Sequence, residues 1–299
     1  MGYTVGVDVG GTKAAAVLLD PAGKVVGRTR RPSTSADFAG FLDAIVATVR
    51  QLEKEVTVEA VGLAIAGNVS ADRTRVITSP NLPALSGQPL REEVQAELGI
   101  PVVLENDANA AAWAEYRFGP WAQFDDVVVL TVGTGLGAGI ILDRSLRRGA
   151  HGFAGEPGHM PVVPEGRRCP CGGRGCWEQY ASGRALLRYY RDAGGNPDSD
   201  GPAVTAAAQA GDPRALAAFD EVGRWLGFGL AGVVALLDPA LIVLGGGVAD
   251  AGELLLEPTR VGFTRAMAWG PDRVHPGVEP AMLGNEAGAV GAAALAAEL

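Results

Sequence analysis

A glycine-rich segment occurs twice in this chain of 299 residues, at positions 5–20 and 128–143. The two segments align without a gap, and six of the sixteen aligned positions are identical. Each copy has an apolar strand, a glycine-rich reversal and a second apolar strand ending at aspartate, which predicts a β-hairpin whose turn exposes backbone N–H groups. Glycine turns between valine-rich strands are common, so chance likeness is an alternative. Because strand, turn and strand all match, the pattern favours duplication of a whole structural unit.

The rest of the chain alternates between strand and helix patterns. The predicted strands are residues 25–30, 61–66 and 102–104, and the predicted helices are residues 37–53, 90–98 and 105–117. This alternation predicts an α/β protein of two similar domains that flank a cleft. We place the domains at residues 1–115 and 116–285, and we expect the alanine-rich helix 286–299 to return to the first domain.

All three cysteines lie within eight residues, at Cys169, Cys171 and Cys176, and His159 lies ten residues upstream of the first. Three thiolates and one imidazole form the ligand set of a closed, tetrahedral zinc site. A disulfide with a spare thiol and inert core cysteines are the alternatives, but Cys-x-Cys spacing is poor for a disulfide. The pattern therefore predicts a structural zinc knuckle, with His159 among its ligands, in the second domain.

Net charge, hydropathy and cysteine content limit the binding partners and the cellular compartment that can be expected for this protein. The formal net charge is −9, and no long run of lysine or arginine occurs, so nucleic acid and anionic membranes are not expected partners. The longest apolar stretch, residues 228–248, is interrupted by Asp238-Pro239 and predicts a buried helix, a turn and a strand rather than a membrane span. The N-terminus lacks the pattern of a signal peptide, and a thiolate cluster suits a reducing cytoplasm.

Both glycine turns could hold phosphate, because glycine lets backbone amides approach phosphate oxygens. In the first copy, Asp8 precedes the turn and Lys13 could neutralise charge; neither a Walker A loop nor a dinucleotide fingerprint is present. A plain hairpin turn or a tight strand-to-helix connection is the alternative. The candidate nucleotide residues are Asp8, Gly10, Gly11, Thr12, Lys13, Thr131, Gly133, Thr134, Gly135, Gly245, Gly246 and Gly247.

Asn106 and Asp107 lie where a predicted strand meets a predicted helix. An isolated Asp there is commonly a helix N-cap, but Asp107 could also act as a general base that accepts a hydroxyl proton. Sugars need several carboxylates and amides, since each can satisfy adjacent hydroxyls. The candidate sugar ligands are Gly67, Asn81, Asn106, Asp107, Glu156, His159 and Glu178, although surface carboxylates are usually only solvated.

Taken together, these motifs resemble the ROK family of sugar kinases and repressors, within the actin-like ATPase superfamily, over essentially the whole chain. The matching segments are residues 8–13, 105–107, 132–139, 156–159, 169–178 and 244–247. The resemblance is strongest to ROK-type glucokinases. It implies two ribonuclease H-like domains and ATP with Mg²⁺ across the two hairpins. It also implies transfer of phosphate to the 6-hydroxyl of glucose with Asp107 as the base, zinc bound by His159 and the three cysteines, and a homodimer or homotetramer.

One departure and several alternatives remain. Pro157 stands where the family usually has an aliphatic residue, so the loop holding Glu156 is expected to be stiffer. A kinase for N-acetylmannosamine, N-acetylglucosamine, fructose or mannose is the main alternative, and polyphosphate could replace ATP. A repressor would need a helix-turn-helix segment before the first strand at Tyr3, and a sugar sensor without catalysis would be expected to lose Asp107 or the Asp8 loop.

Overall fold

The computed structural model describes residues 2–11, 13–32, 37–54, 56–267 and 274–299. Thr12, one of the predicted nucleotide ligands, lies outside these residues. The strands are β1 Tyr3–Val9, β2 Lys13–Leu19, β3 Val25–Pro32, β4 Val58–Ile65, β5 Asn68–Val69, β6 Val76–Thr78, β7 Val102–Asn106, β8 Val127–Val132, β9 Leu136–Leu142, β10 Ser145–Arg147, β11 Leu241–Gly245 and β12 Gly277–Pro280. The α-helices are α1 Phe38–Leu52, α2 Leu90–Leu98, α3 Asp107–Phe118, α4 Gly183–Asp192, α5 Gly201–Gln209, α6 Pro213–Leu237, α7 Glu253–Ala266 and α8 Ala287–Ala296.

Two five-stranded sheets have the same order of strands. The first runs β3-β2-β1-β4-β7 and the second runs β10-β9-β8-β11-β12. In the first, β1 pairs antiparallel with β2 and parallel with β4; in the second, β11 lies parallel to both β8 and β12. The repeated glycine segments occupy corresponding places, as β1-β2 and β8-β9. The predicted α/β class is thus confirmed as an α/β fold with mixed sheets.

Helix α1 shows how the local pattern produces structure. The Asp37 side chain accepts a hydrogen bond from the Gly40 amide at 2.9 Å, which caps the first turn. Phe41, Ile45 and Val49 recur at helical spacing and are buried at 0 to 4% exposure. Full burial of such a side chain contributes about 1.5–3 kcal/mol. The observed helix therefore agrees closely with the predicted range 37–53.

The long apolar stretch is divided between α6 and β11. Asp212 caps α6 by accepting from the Arg214 amide at 2.9 Å. The helix ends at Leu237, and its C-cap residue Asp238 has a left-handed φ of 45°. The chain then enters β11, whose residues are all buried. The predicted order of helix, turn and strand is confirmed. Among the described helices, none combines the length and apolar character needed to cross a membrane.

The C-terminal helix α8 packs against β1, β4 and α3. A Cβ at Gly62 would lie 1.8 Å from the Ala292 carbonyl oxygen, and one at Gly6 would lie 1.9 Å from that of Ala289. Such distances are impossible for a side chain, so glycine is required on both strands for α8 to approach this closely.

The chain forms two compact units. The first comprises residues 1–123, 139–155 and 285–299, and the second comprises residues 124–138 and 156–284. Each has its own apolar core, built around the first sheet in one case and around α6 and the strands β8, β11 and β12 in the other. The predicted domain boundaries of 1–115 and 116–285 stay a prediction.

Candidate functional site

The second unit brings the three cysteines and His159 together. Their ligand atoms all lie within 4.8 Å of one another. The Sγ atoms of Cys171 and Cys176 are 3.7 Å apart, and Cys169 Sγ lies 3.7 Å from His159 Nδ1. Two sulfurs that are each about 2.3 Å from a tetrahedral zinc ion would be about 3.8 Å apart. The donor set and its spacing therefore fit a zinc ion.

Backbone turns build this cluster. Gly172 and Gly175 have φ of 92° and 72°, a region that glycine enters at little cost. The Cys169 amide donates to the Gly173 carbonyl at 2.9 Å, which closes the turn. The three cysteines are free, and the 3.7 Å between two of their sulfurs is far longer than a disulfide bond of about 2.0 Å.

Glu156 is the N-cap of a short 3-10 turn, Pro157–His159, and His159 is the last residue of that turn. Proline suits the first position of a helical turn, because its missing N–H would have no partner there. His159 Nε2 lies 3.8 Å from Glu156 Oε2, while Nδ1 faces the cysteine cluster. Burial raises the pKa of Glu156; the nearby His159 opposes this rise and the Glu178 carboxylate adds to it. The histidine ring thus lies between the Glu156 carboxylate and the cysteine cluster, with one nitrogen facing each.

Glu178 lies on the 3-10 turn Trp177–Gln179 and contacts the second glycine turn. Its Oε1 is 3.2 Å from Cys169 Sγ, and a Cβ at Gly135 would lie 2.8 Å from its Oε2. A side chain at position 135 would therefore displace the carboxylate. The structure brings a predicted nucleotide residue and a predicted sugar ligand into contact here.

The glycines of the second hairpin and of the β11 terminus lie side by side. Thr131 on β8 is paired in register with Gly245 on β11. A Cβ at Gly246, whose φ is 87°, would lie 2.7 Å from the Val132 backbone. A Cβ at Gly133 or Gly247 would meet no described atom within 4 Å, which leaves room for a ligand against the backbone. Thr134 is exposed at the tip of the turn.

In the first unit, Asp8 lies near the end of β1, before the first glycine turn. The Gly10 amide donates to the Lys13 carbonyl at 3.0 Å, which closes the turn around Gly11. Burial raises the pKa of Asp8 from 3.8 to about 6, and the Lys13 ammonium offsets part of the rise. A Cβ at Gly288, in the first turn of α8, would lie 3.1 Å from Asp8 Oδ2. Sequence reasoning missed Gly288, although a glycine within an alanine-rich helix was a usable signal.

We expect Asp8→Asn to stabilise the protein at neutral pH. A carboxyl whose folded pKa exceeds its unfolded pKa is penalised when ionised, so the penalty is complete above about pH 6 and disappears below about pH 4. A shift from 3.8 to about 6 corresponds to at most about 3 kcal/mol at pH 7.5 and about half of that at pH 5. Urea unfolding of both proteins without magnesium at these two pH values measures the difference. If the variant were no more stable than the wild type at pH 7.5, burial could not have raised the pKa of Asp8.

Asn106 and Asp107 lie at the junction of β7 and α3. Asn106 is the N-cap, since its Oδ1 accepts from the Asn109 amide at 3.0 Å, and Asp107 is the first helical residue. Asn106 Nδ2 donates to the Gly67 carbonyl at 3.0 Å and to Asp107 Oδ1 at 3.2 Å. The Ala108 amide also donates to Asp107 Oδ1, at 2.9 Å. The N-cap of α3 is thus Asn106 and not Asp107. The Asp107 carboxylate is held in place because it accepts hydrogen bonds from Asn106 and Ala108.

Asn81 belongs to a segment that is tied to Gly67. Ser79 is buried and donates to the Ala66 carbonyl at 2.6 Å. A Cβ at Gly67 would lie 2.5 Å from the Thr78 carbonyl oxygen, and one at Gly11 would lie 3.6 Å from that of Asn81. Asn81 itself is exposed. The first glycine turn and the loop that carries Asn81 are therefore neighbours.

Glu105 stabilises the junction of β7 and α3 through hydrogen bonds to Asn106 and Asn109. The sequence did not indicate this role. Glu105 is 2% exposed, accepts from Asn109 Nδ2 at 3.1 Å and from the Asn106 amide at 3.2 Å. Its other oxygen accepts from Arg148 Nε at 2.6 Å. A buried carboxylate needs such a partner, since an unpaired buried charge is strongly destabilising. No local pattern links positions 105 and 148, which are 43 residues apart.

The fold and these groups define a class: an α/β protein with mixed sheets, two glycine hairpins, a carboxylate at a helix start and a Cys₃His cluster. Within that class, the chain belongs to the ROK family, whose sequence model matches residues 4–299.

The chain is similar to several characterised proteins along most or all of its length. It is 43% identical to a glucokinase of Streptomyces coelicolor, over all of this chain and 98% of the relative. It is 32% identical to an N-acetyl-D-glucosamine kinase of Salmonella heidelberg, over 82% of this chain and 84% of the relative. The crystal structure of a ROK family glucokinase from Streptomyces griseus, in complex with glucose and AMPPNP, superposes with a TM-score of 0.91 at 46% identity, covering all of both chains.

Proposed function

We propose that this chain is a glucokinase, which transfers the γ-phosphoryl group of ATP to the 6-hydroxyl of glucose. The observation that carries the proposal is the full-length likeness to glucokinases, including one crystallised with glucose and an ATP analogue. The described geometry is compatible with that reaction, because glycine turns, an acidic residue at a helix start and clustered carboxylates are all present. Phosphoryl transfer depends mainly on positioning and on charge neutralisation.

We assign the role of general base to Asp107. It would accept the 6-hydroxyl proton as the sugar oxygen bonds to the γ-phosphorus and the bond to the β,γ-bridging oxygen breaks, releasing ADP. The Ala108 amide and Asn106 Nδ2 orient its Oδ1. This anchoring supports the assignment, since a base must be held at hydrogen-bond reach of the proton it removes.

The remaining roles follow from the residue types. We propose that the other sugar hydroxyls are bound by Gly67, Asn81, Asn106, Glu156, His159 and Glu178. We propose that ATP is bound by Asp8, Gly10, Gly11, Thr12, Lys13, Thr131, Gly133, Thr134, Gly135, Gly245, Gly246 and Gly247. Bound Mg²⁺ would neutralise the phosphates, with Asp8 close to its water ligands. The Asp8 carboxylate is the only such group that the first hairpin offers before its turn.

We also propose a structural zinc ion held by His159, Cys169, Cys171 and Cys176, since their spacing fits one. The two similar sheets support the proposal of two actin-like ATPase domains, at residues 1–115 and 116–285, with the C-terminal helix belonging to the first. We further propose that the enzyme is cytoplasmic and that it assembles as a homodimer or homotetramer. We expect it to act on neither nucleic acid nor membranes. The acidic net charge of −9 supports the last point.

The second candidate is a ROK kinase for another hexose, favoured by the 32% identity to an N-acetylglucosamine kinase. A hydrophobic pocket discriminates against one extra or missing methylene by only about 10–200-fold, whereas buried polar groups that lose their hydrogen-bond partner discriminate by about 10⁴–10⁵-fold, so a few polar contacts decide the choice between related sugars. A change of a few contacts near Glu156 could therefore replace the substrate while Asp107 kept its role.

Sugar-dependent ADP release separates these candidates. The protein is assayed with ATP and Mg²⁺ against glucose, mannose, fructose, N-acetylglucosamine and N-acetylmannosamine, with a sugar-free reaction as the blank. We expect the highest kcat/KM with glucose, and glucose 6-phosphate as the product by mass and by coupled oxidation. A preference for an acetamido sugar would keep the mechanism and replace the substrate. Turnover of none of them by folded, zinc-loaded protein would reject the kinase proposal, and a parallel reaction with polyphosphate identifies a different donor.

A further inference from the structure

Gln179 lies between a metal ligand and a sugar ligand. Its Nε2 is 3.1 Å from Glu178 Oε1 and 3.6 Å from Cys169 Sγ. The same Glu178 Oε1 is 3.2 Å from Cys169 Sγ. One amide nitrogen thus lies within hydrogen-bond reach of two acceptors that contact each other, and the amide carries two N–H groups to serve them.

Metal binding would change the contact between Cys169 and Glu178 from a hydrogen bond into a repulsion between two anions. A thiol can donate to the carboxylate, but zinc requires the thiolate, which can only accept. A thiolate and a carboxylate at about this separation repel one another unless donors lie between them. The Gln179 amide is the donor that the described residues place against both groups.

The backbone holds Gln179 in this position from both sides. Its N–H donates to the Cys176 carbonyl at 3.0 Å, and its carbonyl accepts from Arg188 Nη2 on α4. Cys176 is itself a cluster residue, so the turn that carries Gln179 is attached to the same loop as the metal ligands. The backbone that carries the Gln179 side chain is therefore fixed on both sides, and the side-chain amide reaches Glu178 and Cys169 from this fixed point.

We propose that Gln179 is a positioning residue that lets a zinc-bound Cys169 thiolate and the sugar-binding carboxylate of Glu178 lie side by side. One N–H orients Glu178 Oε1, so that Oε2 keeps its place beside Gly135. The other stabilises the thiolate. This inference rests on the proposed glucokinase function and on zinc binding at the Cys₃His cluster, and it couples sugar affinity to metal retention through a single side chain.

Gln179→Glu tests the inference, because it preserves shape and replaces the donor by a third anion. We expect the KM for glucose to rise about 10- to 100-fold, the range for losing a hydrogen bond to a charged group. The kcat and the KM for ATP are expected to stay within about threefold, because the substitution changes neither Asp107 nor any residue of the glycine turns, and Glu178 contacts the second turn only through the mobile end of its side chain. Zinc release to a chromophoric chelator, measured without substrates, is expected to be faster than in the wild type. Gln179→Met, which removes the donors without adding charge, should show both effects to a smaller degree and covers the case in which the glutamate variant does not fold.

Gln209→Glu is the matched control, since it makes the same charge change at an exposed position on α5 of the same unit. It should leave both readouts unchanged. Wild-type glucose KM in both Gln179 variants would overturn the proposal, and so would unchanged zinc release. A parallel loss of kcat, both KM values and thermal stability would reduce Gln179 to a structural role and also overturn it. Because zinc release is measured without turnover, failure of the kinase assignment itself would be seen separately, in the wild-type protein.

Discussion

Asp107→Asn is expected to lower kcat by about 100- to 10,000-fold, the usual contribution of a general base. An asparagine Oδ1 can still accept from the Ala108 amide and from Asn106 Nδ2, so the start of α3 should be preserved. What is lost is the negatively charged oxygen that can take up a proton. The KM for glucose should therefore change by only a few-fold, because hydrogen bonds to the ground-state hydroxyl remain possible.

Steady-state and single-turnover kinetics with glucose and ATP measure this effect. Asp43→Asn, an exposed aspartate on α1 of the same unit, removes the same charge and should behave as the wild type. Unfolding curves of both variants establish that the fold is intact. If Asp107→Asn kept kcat within about threefold of the wild type, Asp107 could not be the base and the reaction would need another acceptor.

Loss of zinc is expected to abolish turnover and to lower the unfolding midpoint. Metal binding supplies folding free energy to the segment it closes, since a preformed site rarely exists without it. A loss of about 3 kcal/mol would lower the midpoint of a domain of 150–250 residues by about 6–12 °C. Glu156 and Glu178 border the cluster in sequence, so a disordered cluster would release both proposed sugar ligands.

Cys171→Ser isolates the contribution of the metal. Cys171 is the exposed one of the three cysteines, so replacing its sulfur costs little packing by itself. We expect zinc analysis to give about one ion per chain for the wild type and a greatly reduced content for the variant. Adding zinc back to chelated wild-type protein should restore both midpoint and activity, whereas the variant should not recover. Full activity in protein verified to be free of zinc would remove the metal from any structural role.

Much of the local secondary structure could be predicted from the amino-acid sequence. The stripe of α1, the capped start at Asp37 and the division of the apolar stretch at Asp238 depend on neighbours within a few positions. Spacing also indicated the cysteine ligand set, since its three thiols are separated by only a few residues. The ends of the elements were less well predicted: β4 begins at Val58 instead of residue 61, because pairing with β1 extends it.

Contacts between distant positions were decided by the tertiary structure. Arg148 neutralises Glu105 from 43 residues away, and Gly288 makes room for Asp8 although the two are separated by most of the chain. Neither pair produces a periodic pattern in the sequence, because only the folded chain brings these residues together. Even the contact of Gln179 with Cys169 depends on the glycine turns that fold back the intervening loop. The sequence by itself determined which chemical groups are available and in which local elements they lie. The tertiary structure decided which of those groups touch, because burial and charge pairing act through space and not along the chain.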